Sequence, residues 1–305
     1  MTLKKIPFNE WNTVLGLQQD HDDLELLYSP VISDAPIHVP DCEKVLTLHH
    51  TPTSSYREAY EYIHDEFISM GEFTYELYLA MPYFVEIYQT WKQKQDFQWQ
   101  LLFLSLIGDC LATDFPRNHF SKRLNETLPK EIIETHLRSI EIIREEAKEF
   151  VTTHLEKLKQ LNLDDVEYFC QCLFGIFGDR EAAFVLFMGD FNRCYIACPY
   201  CSDPDEDSDV EYNFDWYLGE NPVCALGEEI VPAPSVIGQW DQKSYDNDYL
   251  WMSNLLYLLG SQDGATKMSL YYGTLICPNC GKNAGIVMDL AKDRMIGDGE
   301  SSLLD

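Results

Sequence analysis

The feature that most constrains this chain is a set of four cysteines arranged as two Cys-x-x-Cys pairs: Cys198, Cys201, Cys277 and Cys280. Each pair follows a short apolar run that is typical of a β-strand. After the second pair come Gly281 and the apolar run 284–288, a pattern that predicts strand, tight turn, strand. Zinc ribbons place two thiolates on such a turn and take the other two from a second turn. Here 75 residues separate the pairs, whereas the usual gap is about 15 to 20 residues.

The four cysteines predict a structural zinc ion as the only cofactor. No histidine follows His154, and catalytic zinc sites usually include histidine and leave one position open to water. Four thiolates form the closed, structural type of site. One alternative is a redox pair, because Cys-Pro-Tyr-Cys resembles the motif of disulfide oxidoreductases; another is a set of buried free thiols. Cys194 and Cys224 lie nearby and are either core residues or reserve ligands.

The charge balance predicts the class of partner. The chain has 51 Asp and Glu against 22 Lys and Arg, a net charge of −29. Proteins that bind nucleic acid rely on Lys and Arg for phosphate contacts, so nucleic acid is not the expected ligand. Anionic lipid is excluded for the same reason. The electrostatic complement is a basic protein surface, although acidity that serves only solubility is the alternative.

The sequence indicates a cytoplasmic protein. No run approaches the 18 apolar residues of a membrane span, and the start of the chain lacks the apolar core of a signal peptide. Ten cysteines without a secretory signal are typical of reduced thiols in a cytoplasm.

Apolar residues recur with helical spacing through the first part of the chain. They predict helices over the following ranges: 74–91, 97–113, 128–161 and 163–178. Pro82 is expected to break or kink the first of these helices. The third is expected to break near 151–153, where β-branched residues cluster. An aspartate at the start of the fourth is the expected N-cap.

Two stretches, FTYELYLAMPYFVEIYQTW and QWQLLFLSLIGDC, resemble the repeat core of HEAT-like helical proteins. In bacteria, some members of this group accompany polymorphic toxin systems as suspected immunity or interaction proteins. The resemblance covers roughly residues 45–190. It implies a mainly α fold, a right-handed stack of α-hairpins (a HEAT-like solenoid), and no catalytic residues. The small β zinc-ribbon-like element near the C-terminus adds to that fold.

We therefore expect three regions. Residues 1–193 form the α-helical, HEAT-like domain, and residues 194–290 form the zinc-ribbon-like element. An acidic and aromatic insertion, 202–273, splits that element and contains one helix, predicted at 245–259. Residues 291–305 are expected to be a flexible tail.

The insertion begins with the most acidic run of the chain. Between residues 202 and 215 there are seven acids and no Lys or Arg. Carboxylates there would meet basic groups of a partner, and the aromatic residues that follow would anchor it. The alternative is a solvated loop. The predicted contact residues are Asp203, Asp205, Glu206, Asp207, Asp209, Glu211, Tyr212 and Trp216.

These features together predict a protein-binding module rather than an enzyme. The specific hypothesis is an immunity-type inhibitor of a basic toxin, such as a nuclease whose cationic cleft an acidic face would occupy. One alternative is a scaffold or adaptor without an inhibitory role. Another is a HEAT-like nucleic-acid glycosylase, which the scarcity of Lys and Arg opposes.

Overall fold

The computed structural model describes the following residues: 3–7, 10, 14, 68–69, 72–73, 76–113, 128–178, 182–183, 186, 193–197, 200, 213–217, 223–224, 230–233, 248–277 and 280–291. This part of the chain is mainly helical, as the sequence predicts, and it contains small antiparallel sheets. The chain divides into two compact units, Met1–Phe150 and Val151–Asp305. The predicted boundary between residues 193 and 194 lies inside the second unit, and the predicted tail falls almost entirely outside the described residues. No helix in the described ranges is both long and apolar enough for a bilayer crossing.

The first unit is built from a two-stranded hairpin and helices. Its elements are β1 (Ile68–Ser69), β2 (Glu72–Phe73), α1 (Glu76–Gln93), α2 (Phe97–Thr113) and the larger part of α3 (Lys130–Leu158). The two strands pair antiparallel. Helix α2 has the predicted bounds, and its strongly apolar sequence is buried continuously over 103–112.

A tight turn joins α1 to α2 as a helical hairpin. The Asp96 backbone N–H donates to the Trp91 carbonyl at 3.1 Å, and Gln95 between them has a φ of 55°. This left-handed residue closes the end of α1. The Asp96 carboxylate then accepts from the backbone N–H of Trp99 at 3.2 Å, as an N-cap of α2 does. The rings of Trp91 and Trp99 stack at 4.9 Å across the hairpin.

The expected break at Pro82 was wrong, because α1 continues through Pro82 as one helix. A proline inside a helix removes one hydrogen bond and is unfavourable by about 3 kcal/mol. Burial of the side chains around Pro82 offsets this unfavourable free energy, since burying one large apolar side chain contributes about 1.5–3 kcal/mol. The side chains of α1 that are at most 3% exposed include Leu77, Met81, Phe84, Val85 and Tyr88.

Helix α3 packs on α1 and α2 through rings and charges. His136 stacks on Tyr78 with 4.2 Å between ring centroids. The Lys92 ammonium donates to Glu146 Oε2 at 2.6 Å and to Glu149 Oε2 at 2.7 Å. Burial alone would lower the pKa of Lys92, but its hydrogen bonds to the two carboxylates outweigh burial and raise the pKa. Lys92 therefore stays protonated and links α1 to α3 through these two ion pairs. Further along α3, the irregularity predicted near 151–153 occurs at His154, whose φ of −112° and ψ of 16° are not helical.

The second unit combines helices with two small sheets. Its elements after α3 are α4 (Leu163–Phe177), β3 (Arg193–Ala197), β4 (Asn213–Tyr217), β5 (Val223–Cys224), β6 (Ile230–Val231), α5 (Asp248–Leu258), α6 (Gln262–Tyr271), β7 (Thr274–Ile276) and β8 (Asn283–Ile286). One sheet has the order β3-β4-β5 and the other β6-β7-β8, and all neighbours are antiparallel. Residues 287–291 are helical, so the strand predicted over 284–288 ends earlier than expected.

The N-cap of α4 is Asn162 and not an aspartate. Its Oδ1 accepts from the Asp165 backbone N–H at 2.8 Å, and its Nδ2 donates to the Asp165 carboxylate at 2.6 Å. Asn and Asp are equally good N-caps, so composition could not choose between them. The carboxylates of Asp164 and Asp165 lie in the first turn, where their negative charge interacts favourably with the positive end of the helix dipole.

The described part of the insertion contains two helices, which corrects the prediction of one. Helix α5 lies within the predicted range 245–259, and α6 follows after a short turn. The sequence of α6 includes Gly264, Thr266 and Ser269, which have low helix propensity, so its pattern did not predict a helix. Helix α5 packs against α6 and against α4, and burial of both helices in this packing overrides the weak propensity of α6.

A serine and a glycine fix the start of α6. Ser261 is 2% exposed, and its Oγ donates to Glu167 Oε1 of α4 at 2.6 Å and accepts from the Gly264 backbone N–H at 3.2 Å. A Cβ on Gly264 would lie 2.5 Å from that Oγ. Position 264 therefore favours glycine, because a Cβ there would collide with the Ser261 hydroxyl that the Gly264 N–H binds.

Substitution of these two residues should be non-additive. We expect Ser261→Ala to lower the free energy of unfolding by about 1–3 kcal/mol, because it leaves Glu167 and the helix end without their partner. Gly264→Ala displaces the same hydroxyl and should lose a similar amount. The double variant should lose less stability than the sum of the two single losses, because alanine at 261 removes the oxygen that lies 2.5 Å from the new Cβ and leaves Glu167 Oε1, at 3.3 Å, as the nearest atom. Urea unfolding of the four proteins measures this, and simple additivity would contradict it.

Candidate metal centre

The second Cys-x-x-Cys pair lies on the turn between β7 and β8. The Cys277 backbone N–H donates to the Lys282 carbonyl at 2.8 Å, and the Gly281 N–H donates to the Cys277 carbonyl at 2.7 Å. Gly281 has a φ of 68°, a conformation that glycine adopts without steric cost. Cys277 is buried and Cys280 is partly buried. The prediction of strand, tight turn and strand is confirmed here, with both cysteines on one closed turn.

The first pair follows the end of β3. This strand confirms the β-structure predicted from the apolar run before Cys198. Cys198 and Cys201 themselves lie outside the described residues, whereas Tyr200 between them is described, in a turn, with 56% of its surface exposed. Each Cys-x-x-Cys pair thus begins at the end of a strand, and the two strands belong to different sheets.

One contact joins the two pairs. The Lys282 ammonium lies over the ring of Tyr200, 4.8 Å from its centroid, within the distance at which a cation and an aromatic ring attract. Tyr200 stands between the cysteines of the first pair, and Lys282 follows the second pair by two residues. Tyr200 therefore lies beside the turn that carries the second pair. This contact was not predicted; its only signal in the sequence is an aromatic residue in one pair and a lysine after the other.

The described part of the predicted zinc site contains one of its two Cys-x-x-Cys pairs. In the described residues no group of three or more His, Cys, Asp and Glu is placed to hold a metal, and only two of the four predicted ligands fall in those residues. Cys277 and Cys280 on one turn fit zinc, which binds thiolates at about 2.3 Å. Four thiolates around Zn²⁺ carry a net negative charge, which Lys282 beside the turn would partly neutralise.

The spare cysteines Cys194 and Cys224 lie in the sheet that leads to the first pair. Trp216 of the middle strand pairs with Cys194 on one side and with Cys224 on the other. Cys194 and Cys224 thus flank one strand, and their role as core residues or reserve ligands stays a prediction.

Three other cysteines lie on apolar helices and are core residues. Cys110, Cys170 and Cys172 are fully buried. Burial raises the pKa of the Cys110 thiol, and the charge of Asp109 raises it further. Burial likewise raises the pKa of Cys170, with a smaller contribution from Glu167. Thiols that stay protonated neither bind metal nor react readily.

The predicted contact residues of the acidic run are not described, with one exception. The residues outside the described ranges are Asp203, Asp205, Glu206, Asp207, Asp209, Glu211 and Tyr212. Trp216 lies in β4, where its backbone pairs with two neighbouring strands. The docking surface built on these residues stays a prediction.

Comparison of the chain with protein-family profiles, with curated proteins and with solved structures found no significant match.

Proposed function

We propose that this chain is a protein-binding module whose second unit is organised by one structural zinc ion. The ligands would be Cys198, Cys201, Cys277 and Cys280. The observation that supports this proposal is the contact between Tyr200 and Lys282, because Tyr200 stands between the cysteines of the first pair and Lys282 follows the second pair by two residues. Closing the intervening segment is feasible, because loop entropy rises only logarithmically with length. Binding of structural zinc contributes on the order of 10 kcal/mol, more than that closure costs.

The architecture we propose for residues 1–193 is a right-handed, HEAT-like stack of α-hairpins. Short connections support it, since residues 94–96 join α1 to α2 and residues 159–162 join α3 to α4. In such stacks each hairpin buries its apolar face against the next one and presents an extended surface for protein ligands.

The partner we propose is a basic protein in the cytoplasm, and the role is inhibition of a toxin such as a nuclease. The distribution of charge supports a docking face in the acidic run 202–215. On α3, exposed glutamates have lysine neighbours, for example Glu145 with Lys148 and Glu156 with Lys159. The acidic run has no Lys or Arg of its own. The negative charge of the acidic run is therefore the most available to a cationic cleft. Attraction between these opposite charges would increase the association rate.

The test measures association with a basic toxin encoded beside this chain, such as a nuclease, at 50 and 300 mM NaCl. We expect the association rate constant to fall about tenfold or more with salt, because steering between opposite charges is screened. The dissociation rate should change much less. The toxin should lose activity at one equivalent of the chain.

Two triple variants with the same change in net charge show which surface binds the toxin. Charge reversal of Asp205, Asp207 and Asp209 to lysine should slow association strongly. The same reversal at three exposed glutamates of α3, Glu141, Glu145 and Glu156, should slow it only by the change in net charge. Equal effects would contradict the proposed face. An affinity independent of salt would contradict the electrostatic mechanism, and binding without inhibition would identify an adaptor instead of an inhibitor.

A further inference from the structure

A short basic segment of the chain lies on acidic side chains of the first unit. Residues 3–7 belong to no helix or strand. Lys4 Nζ lies 2.8 Å from Glu131 Oε2 on α3, and Lys5 forms an ion pair with Glu86 on α1. Two consecutive lysines thus bridge two helices through carboxylates, in a chain where acids outnumber basic residues by 51 to 22.

An aromatic side chain completes this arrangement. The Tyr83 hydroxyl donates to the Ile6 carbonyl at 2.7 Å, and the Lys5 ammonium lies 5.1 Å from the centroid of the Tyr83 ring. Beneath the segment is a small cavity whose walls include Tyr78 and Pro82 of α1 and Ile132 of α3. We call this site the α1–α3 groove, formed by Tyr78, Pro82, Tyr83, Glu86, Glu131 and Ile132.

The groove recognises features that many basic peptides share. Two carboxylates take two ammonium groups, a hydroxyl takes a main-chain carbonyl, and an apolar wall lies below. The bound segment is held by ion pairs that are largely exposed to solvent: the side chains of Lys4 and Glu131 are 57% and 63% exposed, and those of Lys5 and Glu86 are 37% and 61% exposed. Such pairs contribute only about 0.2–1 kcal/mol each, so a longer basic segment can displace residues 3–7.

We propose that the α1–α3 groove binds an extended, lysine-rich segment of a protein partner, and that residues 3–7 occupy it as an internal competitor. The proposal rests on the proposed function, because it takes the partner to be a basic protein. It adds a second contact site, remote in sequence from the acidic run, and names the chemistry of the segment that fills it.

The experiment measures binding of a fluorescent peptide with the sequence of residues 2–8, Thr-Leu-Lys-Lys-Ile-Pro-Phe, by anisotropy. In the full chain the internal segment competes at a high effective concentration. The variant Lys4→Glu with Lys5→Glu expels that segment by repulsion from Glu86 and Glu131. We expect the variant to bind the peptide at least tenfold more tightly than the wild type, with an affinity that falls as salt rises. The milder pair Lys4→Ala with Lys5→Ala should show the same direction.

Substitutions in the groove itself test whether peptide binding is specific to it. Glu86→Gln with Glu131→Gln, added to the Lys4→Glu, Lys5→Glu chain, should abolish peptide binding, and Tyr83→Phe should weaken it several-fold. A control peptide with glutamates in place of both lysines should not bind. Equal binding by wild type and variant, or binding that survives Glu86→Gln and Glu131→Gln, would overturn the groove. If the groove fails this test but the chain still binds its basic toxin in a salt-dependent way, only the groove proposal is wrong and the proposed function stands. If the chain binds neither the peptide nor the toxin, the proposal of a basic partner is also wrong.

Discussion

Replacing Cys277 by serine should release the zinc ion and unfold the second unit. Structural zinc sites contribute on the order of 10 kcal/mol, which is comparable with the whole stability of an ordinary domain, about 5–15 kcal/mol. Metal analysis of the purified wild-type chain should find one zinc per chain, and the variant should contain none. Hydrogen exchange should show loss of protection in β7, β8 and the helices α5 and α6 that lead into the turn.

The sharper version of this experiment compares the two pairs. Cys198→Ser should have the same effect as Cys277→Ser, and the double variant should be no worse than either, because in the proposed site all four thiolates bind one ion. Cys170→Ala is the matched control: it removes a fully buried thiol, should lower the free energy of unfolding by about 0.5–3 kcal/mol, and should leave the zinc bound. A metal-free wild type whose stability is unaffected by Cys277→Ser would refute the zinc site.

Replacing Trp251 by alanine should have the second largest effect. Trp251 of α5 is fully buried, and its ring lies 5.7 Å from those of Phe174 and Phe177 on α4. Truncation of such a side chain leaves a cavity and lowers the free energy of unfolding by about 3–5 kcal/mol. Chemical denaturation should show a lower midpoint, while zinc per folded chain stays at one, because Trp251 packs helices and ligates nothing.

Tyr257→Ala provides the control on the same helix. Tyr257 is 39% exposed, and substitutions at exposed positions usually change stability by less than about 0.5 kcal/mol. If the two variants were equally destabilised, the core of the second unit would not lie between α4 and α5.

Several elements were predictable because their signal is local. The apolar content of 97–113 and the alternation of apolar and charged residues along α3 depend only on neighbours in sequence, and both helices have nearly the predicted bounds. The turn around Cys277 and Cys280 was equally predictable, since Gly281 supplies the left-handed residue that the turn needs.

Other features depended on contacts between residues that are distant in sequence. Pro82 is accommodated because the rest of α1 is buried, and α6 forms because Ser261 bonds to Glu167 of another helix. The position of residues 3–7 on Glu86 and Glu131 has no local signal at all.

The sequence by itself determined the helical character of the first part, the strand before each cysteine pair, the turn around Cys277 and Cys280, and the excess of negative charge. Hydrophobic periodicity and turn chemistry act over a few residues, so they can be recognised without a structure. Only the tertiary structure decided that Tyr200 meets Lys282, that α5 and α6 pack together, and that a basic segment covers the α1–α3 groove. These pairings depend on which buried surfaces fit each other, and no short-range pattern encodes that choice.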